Sequence, residues 1–167
     1  MDDRHFQKCC GHHHDGGHNG NNNSNGILRI YNPISSIVGY GANLPLTLNT
    51  INIPNNNDFT IDLINNIILF APGIYSVTYT ITATIPVAPP ITTPLTIYEN
   101  QGGIDGIRLS ASVYNFENIA TVSGSTMYTG MEFGNAFSLV NRTFNGAVGI
   151  PIELLYLEIT AYKVYSL

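Results

Sequence analysis

Seven side chains able to hold a metal or exchange a disulfide crowd the start of the chain: His5, Cys9, Cys10, His12, His13, His14 and His18. Bonding Cys9 to Cys10 would strain the peptide between them, because a disulfide normally sets its Cα atoms farther apart than consecutive residues stand. The chain has no third cysteine, so an ordinary disulfide must join two molecules. Thiolate and imidazole also suit zinc or copper. Three fates therefore stay open for the pair: a cross-link between arms, metal ligation, or free thiols. No CxxC pairing accompanies the histidines, and a His-rich tract takes up transition metals adventitiously. No physiological metal or cofactor is expected, and His12, His13, His14 and His18 are the residues to watch if one is found.

The same placement argues against catalysis. With every histidine at or before position 18, the rest of the chain has no Ser-His-Asp or Cys-His arrangement. The later carboxylates are Asp58, Asp62, Glu99, Asp105, Glu117, Glu132, Glu153 and Glu158, and no spacing among them selects an acid–base pair of the glycosidase kind. They are expected on solvated faces or as partners of Arg29, Arg108, Arg142 and Lys163. Gly102-Gly103-Ile104-Asp105-Gly106 lacks the phosphate-loop pattern, with no helix after it, and reads as a hairpin turn. Asn22-Asn23-Ser24 and Asn141-Arg142-Thr143 match the N-glycosylation sequon, a pattern short enough to arise by chance. The chain is not expected to be an enzyme.

What must position these groups is a chain of two unlike parts. Residues 1–26 are Gly, Asn and His without an apolar period, so they cannot bury a face of their own. They form an arm that, extended, would reach roughly 85 Å, against roughly 37 Å for the diameter of the remaining domain. It can therefore touch a neighbouring molecule. Residues 27–167 form one domain with a real core. Only 10% of the chain is charged, with a net charge of −5, which leaves no basic stripe for nucleic acid. No apolar run is long enough to span a membrane, and the acidic start Met1-Asp2-Asp3 shows no secretion signal.

Within the domain the strongest element is the strand from Tyr75 to Ile85. Tyr75, Val77, Tyr79, Ile81, Ala83 and Ile85 alternate with Ser76 and four threonines, which is the period of a strand. Pro72-Gly73 turns the chain into it. Further strands are read at Ile27–Tyr31, across the Leu44, Leu46, Leu48 alternation, at Phe59, Ile61 and Leu63, and at Ile67–Phe70. Others follow at Leu95–Tyr98, Ile107–Tyr114, Ile119–Phe133, Phe137–Val140 and Leu154–Tyr165. Gly124 inside the longest of these suggests a bulge or a close backbone approach, and the proline-rich Pro86 to Pro94 is a loop. About eight to ten antiparallel strands with regular turns predict an all-β sandwich or jelly roll, with the first and last strands side by side.

The pattern Phe70-x-Pro72-Gly73-x-Tyr75-x-x-x-Tyr79 resembles the strand signature of the C1q/TNF-like jelly-roll domain. The tail Phe137-Ser138-Leu139-Val140-Asn141, then Leu157 to Val164, is similar to the last strands of bacterial members on the exosporium of spores. Those proteins carry a Gly-X-Y collagen stalk that is missing here. Instead, Cys9-Cys10-Gly11-His12 looks like the N-terminal connector of endospore appendage subunits. There the connector reaches into other subunits and is bonded to cysteines of the jelly roll, which this body does not possess.

The resemblance implies a homotrimer, with some of the ten tyrosines and seven phenylalanines on its threefold seam and the rest in the core. It also implies an arm that docks on neighbouring subunits through His5, Phe6, Gln7, Lys8 and Gly11, with Cys9 and Cys10 as the intermolecular cross-link. The expected role is a structural, self-assembling subunit of a spore-surface fibre, whose partners are copies of itself and other spore-coat or exosporium anchor proteins. The alternative is a C1q-like binding module, anchored by its arm and contacting a sugar or protein through loops such as Pro86–Pro94.

Overall fold

The computed structural model describes residues 27–47, 50–52, 58–85, 94–102, 104–111, 118–130 and 135–166. The arm, with Cys9, Cys10 and all five histidines, lies outside them, as does most of the Pro86–Pro94 loop. Thirteen strands are described: β1 (Ile27–Asn32), β2 (Ser36–Val38), β3 (Thr50–Asn52), β4 (Phe59–Asp62), β5 (Ile67–Phe70), β6 (Gly73–Thr84), β7 (Leu95–Gln101), β8 (Ile104–Ala111), β9 (Ile119–Gly130), β10 (Asn135–Asn141), β11 (Phe144–Asn145), β12 (Val148–Gly149) and β13 (Ile152–Tyr165). The excess over the expected eight to ten comes from β2, β11 and β12, each of two or three residues.

Two antiparallel sheets face each other. Sheet A runs β3-β1-β13-β6-β9, with β2 beside the start of β13, and sheet B runs β4-β5-β10-β7-β8. The expected pairing of first and last strands holds, from Ile27↔Tyr162 to Asn32↔Leu157. β6 lies between β13 and β9 and pairs with β9 without a register shift from Gly73 to Thr84. Its alternation sends Tyr75, Val77, Tyr79, Ile81 and Ala83 into the core. The Ala71-Pro72 step does not close a hairpin but carries the chain from β5 in sheet B to β6 in sheet A. Gly73 is needed there: its φ is 157°, and a Cβ would stand 2.5 Å from Lys163 Cε and 2.9 Å from the Tyr165 carbonyl oxygen.

Phe70 is the hub of the core. Its ring lies 4.6 Å from Tyr128, 4.7 Å from Tyr75, 5.5 Å from Phe59 and 6.2 Å from Phe137, centroid to centroid. Such tilted and edge-on pairs add to the area term. Beside this nest Lys163 Nζ of β13 donates to Asp58 Oδ1 at 2.8 Å and sits 5.7 Å from the Tyr75 ring centroid, tying sheet A to the approach of β4.

Three expectations change. Leu44 and Leu46 are buried as their alternation requires, but the segment is not a ladder strand: Pro45 has no N–H, and the Leu46 amide donates to Asn66 Oδ1 at 3.0 Å. Leu48 lies outside the described residues. Leu63 is not the third residue of a buried face, because β4 ends at Asp62, whose Oδ1 accepts the Ile64 and Asn65 amides and starts the turn. The Asn141 sequon is inaccessible: Asn141 is 0% exposed and its amide donates to the carbonyls of Val38 and Ile150. The Gly102 turn, by contrast, closes the β7–β8 hairpin as expected, with φ 63°.

Candidate self-association surface

Because β6 alternates, its second set of side chains faces away from the core, and the ladders line them up with their neighbours in rows across sheet A. One row is Ile27, Tyr162, Ser76 and Met127; the next is Arg29, Thr160, Thr78 and Ser125; then Tyr31, Glu158, Thr80 and Ser123; then Tyr156, Thr82 and Thr121. The result is a face that is apolar at one end, hydroxylated in the middle and aromatic at the other. Met127 is 57% exposed, Tyr162 44% and Ile27 42%.

Few of its polar groups need a partner from outside. Thr80 and Ser123 hydroxyls lie 3.1 Å apart and those of Thr82 and Thr121 2.9 Å, each pair hydrogen-bonded across the β6–β9 ladder. The Arg29 guanidinium meets Glu158 Oε1 at 2.7 Å, and Tyr156 donates its hydroxyl to Glu158 Oε2 at 2.6 Å. That tyrosine bond, with Arg29 assisting, holds the Glu158 carboxyl below the usual carboxylate range; the same bond pushes the Tyr156 hydroxyl up. Tyr31 packs edge-on to Tyr156, with centroids 5.3 Å apart. At the far end Glu153 accepts from Ser35 and Thr84, which lowers its carboxyl as well. The face therefore carries its charge as a neutralised pair, and a shallow depression of about 360 Å³ between Thr78, Thr80, Ser123, Glu158 and Thr160 marks its centre.

Directly beneath the depression lies a buried polar contact. Tyr79 of β6 points inward and donates its hydroxyl to Glu99 of β7 in the opposite sheet, while Gln101 Nε2 reaches the other carboxylate oxygen at 3.3 Å. Glu99 is 0% exposed. Burial, then the bond to Glu99 and its charge, push the Tyr79 hydroxyl far above its ordinary value. Gly124, paired with Tyr79, makes the contact possible, since a Cβ there would stand 2.5 Å from the tyrosine oxygen. The close approach expected at this glycine is present, and the ladder runs through it without a bulge.

The tyrosines divide as the chain alternates: Tyr75, Tyr79 and Tyr128 lie in the core, whereas Tyr31, Tyr156 and Tyr162 lie on the outer face. Arg29 with Glu158 and Lys163 with Asp58 are paired as expected. Glu99 is the exception among the carboxylates, being inside the core rather than on a solvated face. Its place was readable, because period two from Leu95 and Ile97 puts position 99 on their buried side. The side chains of Asp105, Arg108, Glu117 and Glu132 lie outside the described residues. Among the described residues no group of three metal-ligating side chains gathers, and no helix is long and apolar enough to cross a membrane.

The fold is a C1q/TNF-like jelly roll. It is similar to a TNF protein, Eiger, from S. frugiperda (TM-score 0.59, 13% identity, covering 85% of this chain and 93% of that one). It is also similar to the globular domain of zebrafish complement 1qA protein (0.58, 15%, 86% and 99%) and to murine APRIL (0.53, 10%, 84% and 99%). No family model matches the sequence, and no curated protein does.

Proposed function

We propose that this chain is a self-assembling structural subunit of a bacterial spore-surface fibre or appendage. Three jelly rolls associate through the outer face of sheet A, and residues 1–26 of each join one trimer to the next. The observation that carries this reading is the state of that face: its hydroxyls pair with one another, its ions are neutralised, and Ile27, Met127 and Tyr162 remain exposed. Such a surface loses little hydration when a second copy covers it. The jelly-roll fold supports the trimer, and the likeness of Cys9-Cys10-Gly11-His12 to appendage connectors supports the arm and the spore-surface location. Three arms acting together would make individually weak contacts durable, with Cys9 and Cys10 as a cross-link between molecules. The reading needs no catalytic group, cofactor or metal.

Light scattering and negative-stain microscopy on the full chain, beside a chain beginning at Ile27, test both halves. Fibres from the first and discrete trimers from the second are expected, with reductant loosening the fibres if the thiols lock them. Monomers from both would refute the seam, and fibres from both would refute the arm. The hydroxyl-lined depression favours a second reading, a binding module taking a sugar or protein surface. A saturable ligand, with pure full-length protein that stops at the trimer, would establish it instead.

A further inference from the structure

We infer that the outer edge of β9 is where the arm of a neighbouring molecule adds as a strand, an inference that rests on the connector reading above. A sheet edge invites strand addition unless it is short, charged, interrupted by proline or bulged. Three of the four edges are blunted in these ways. β3 has three residues and β4 has four, ending in the Asp62 turn. β8 carries Asp105 and Arg108, and its ladder with β7 is broken by an irregularity between Tyr98 and Asn100.

β9 has none of these defences. It is twelve residues long, Ile-Ala-Thr-Val-Ser-Gly-Ser-Thr-Met-Tyr-Thr-Gly, without a charge or a proline, and its ladder with β6 is unbroken throughout. It stands last in the order of sheet A, and among the described residues no strand pairs with its outer side.

The occupant is argued from the chain outside the described residues. Residues 1–26 contain no proline, so each can supply a backbone donor and acceptor to a ladder. Gly11 to Ile27 extends about 53 Å, more than the roughly 37 Å across a domain of this size, so His5 to Gly11 can lie on another molecule. The arm leaves the body at Ile27, on the Met127 row. To pair with its own β9 it would have to double back, whereas a neighbour's edge needs no reversal. Met127, exposed on β9, gives an arm aromatic such as Phe6 a cross-strand neighbour.

The test uses the full-length chain. Amide hydrogen exchange is followed in assembled and unassembled protein, with single proline substitutions His5→Pro, Phe6→Pro, Gln7→Pro and Lys8→Pro in the arm, where the body is untouched. Expected on assembly is about tenfold or greater slowing at alternate β9 amides. The prolines should abolish this at every second arm position, since only alternate amides face the acceptor. Assembly that is arm-dependent but leaves β9 exchange unchanged would overturn this inference and spare the connector reading. So would β9 protection that ignores the arm prolines, the sign of β9 pairing with a second copy's β9, or protection already present in dilute single units, the sign of an arm folded back. A chain that never assembles overturns both.

Discussion

On its inner side sheet A presents Tyr75, Val77, Tyr79 and Ile81 of β6, packed into the rings around Phe70; on its outer side the same strand presents Thr78, Thr80 and Thr82. Both faces contain tyrosine and both contain a carboxylate, yet they resolve polarity differently. Inside, Glu99 is dry and depends on Tyr79 and Gln101. Outside, Glu158 keeps its place at the surface between Arg29 and Tyr156. Stability is thus invested in the first face, and the second is left free to serve association. Substitutions that are severe on one face should be mild on the other.

The sharpest break is expected at the core hub. Phe70→Ala removes the ring that four aromatic neighbours share and should cost about 3–5 kcal/mol, read as a fall in the denaturation midpoint or as loss of the fold. Next comes Tyr79→Phe, which leaves a buried Glu99 oxygen without its donor and should cost about 1–3 kcal/mol. Pairing it with Glu99→Leu should recover part of that loss, because the stranded carboxyl is then gone; no recovery in the double-mutant cycle would mean the two are not coupled.

Alkali should find the inner face before the outer one. Burial, with the charge of Asp58 assisting at Tyr75, raises the Tyr75 and Tyr128 hydroxyls to about 12, and Tyr79 lies higher still, against an ordinary value of 10.0. The folded state therefore keeps protons that the unfolded chain releases. Their contribution is whole below pH 10 and is lost as pH rises toward 12, at up to about 1.4 kcal/mol per pH unit for each tyrosine. Tyr128→Phe should reduce the slope of stability against pH by one proton, and an unchanged slope would remove Tyr128 from the account.

The smallest effect on folding is expected on the outer face. Thr80→Lys should leave stability within about 0.5 kcal/mol while abolishing trimers in sedimentation, because it places three ammonium groups in the seam. Trimers that persist would locate the seam elsewhere.

How much of this was legible depends on whether a residue's fate was decided locally. β6, β13 and the Gly102 turn follow from alternation and from backbone chemistry within a few residues. β2 was not visible, since three residues at Ser36–Val38 become a strand only beside Ile152–Leu154, more than a hundred positions away. The Leu44–Leu46 segment shows the opposite failure, with the right burial but without the ladder, because Pro45 and the distant Asn66 side chain decide its hydrogen bonds. On the candidate surface, the hydroxyl and aromatic rows could be listed from the sequence. Which tyrosines share them depended on the register of β13 against β1 and β6.

The pairing of Ile27 with Tyr162 has one more consequence. It brings the root of the arm beside the chain's last turn of strand, so both termini of the body issue from a single pole. A polymer built by such arms has unlike ends: one tip offers arms awaiting an acceptor, the other an acceptor awaiting arms. Growth would be vectorial, and a cap specific for either tip would set the length of the filament.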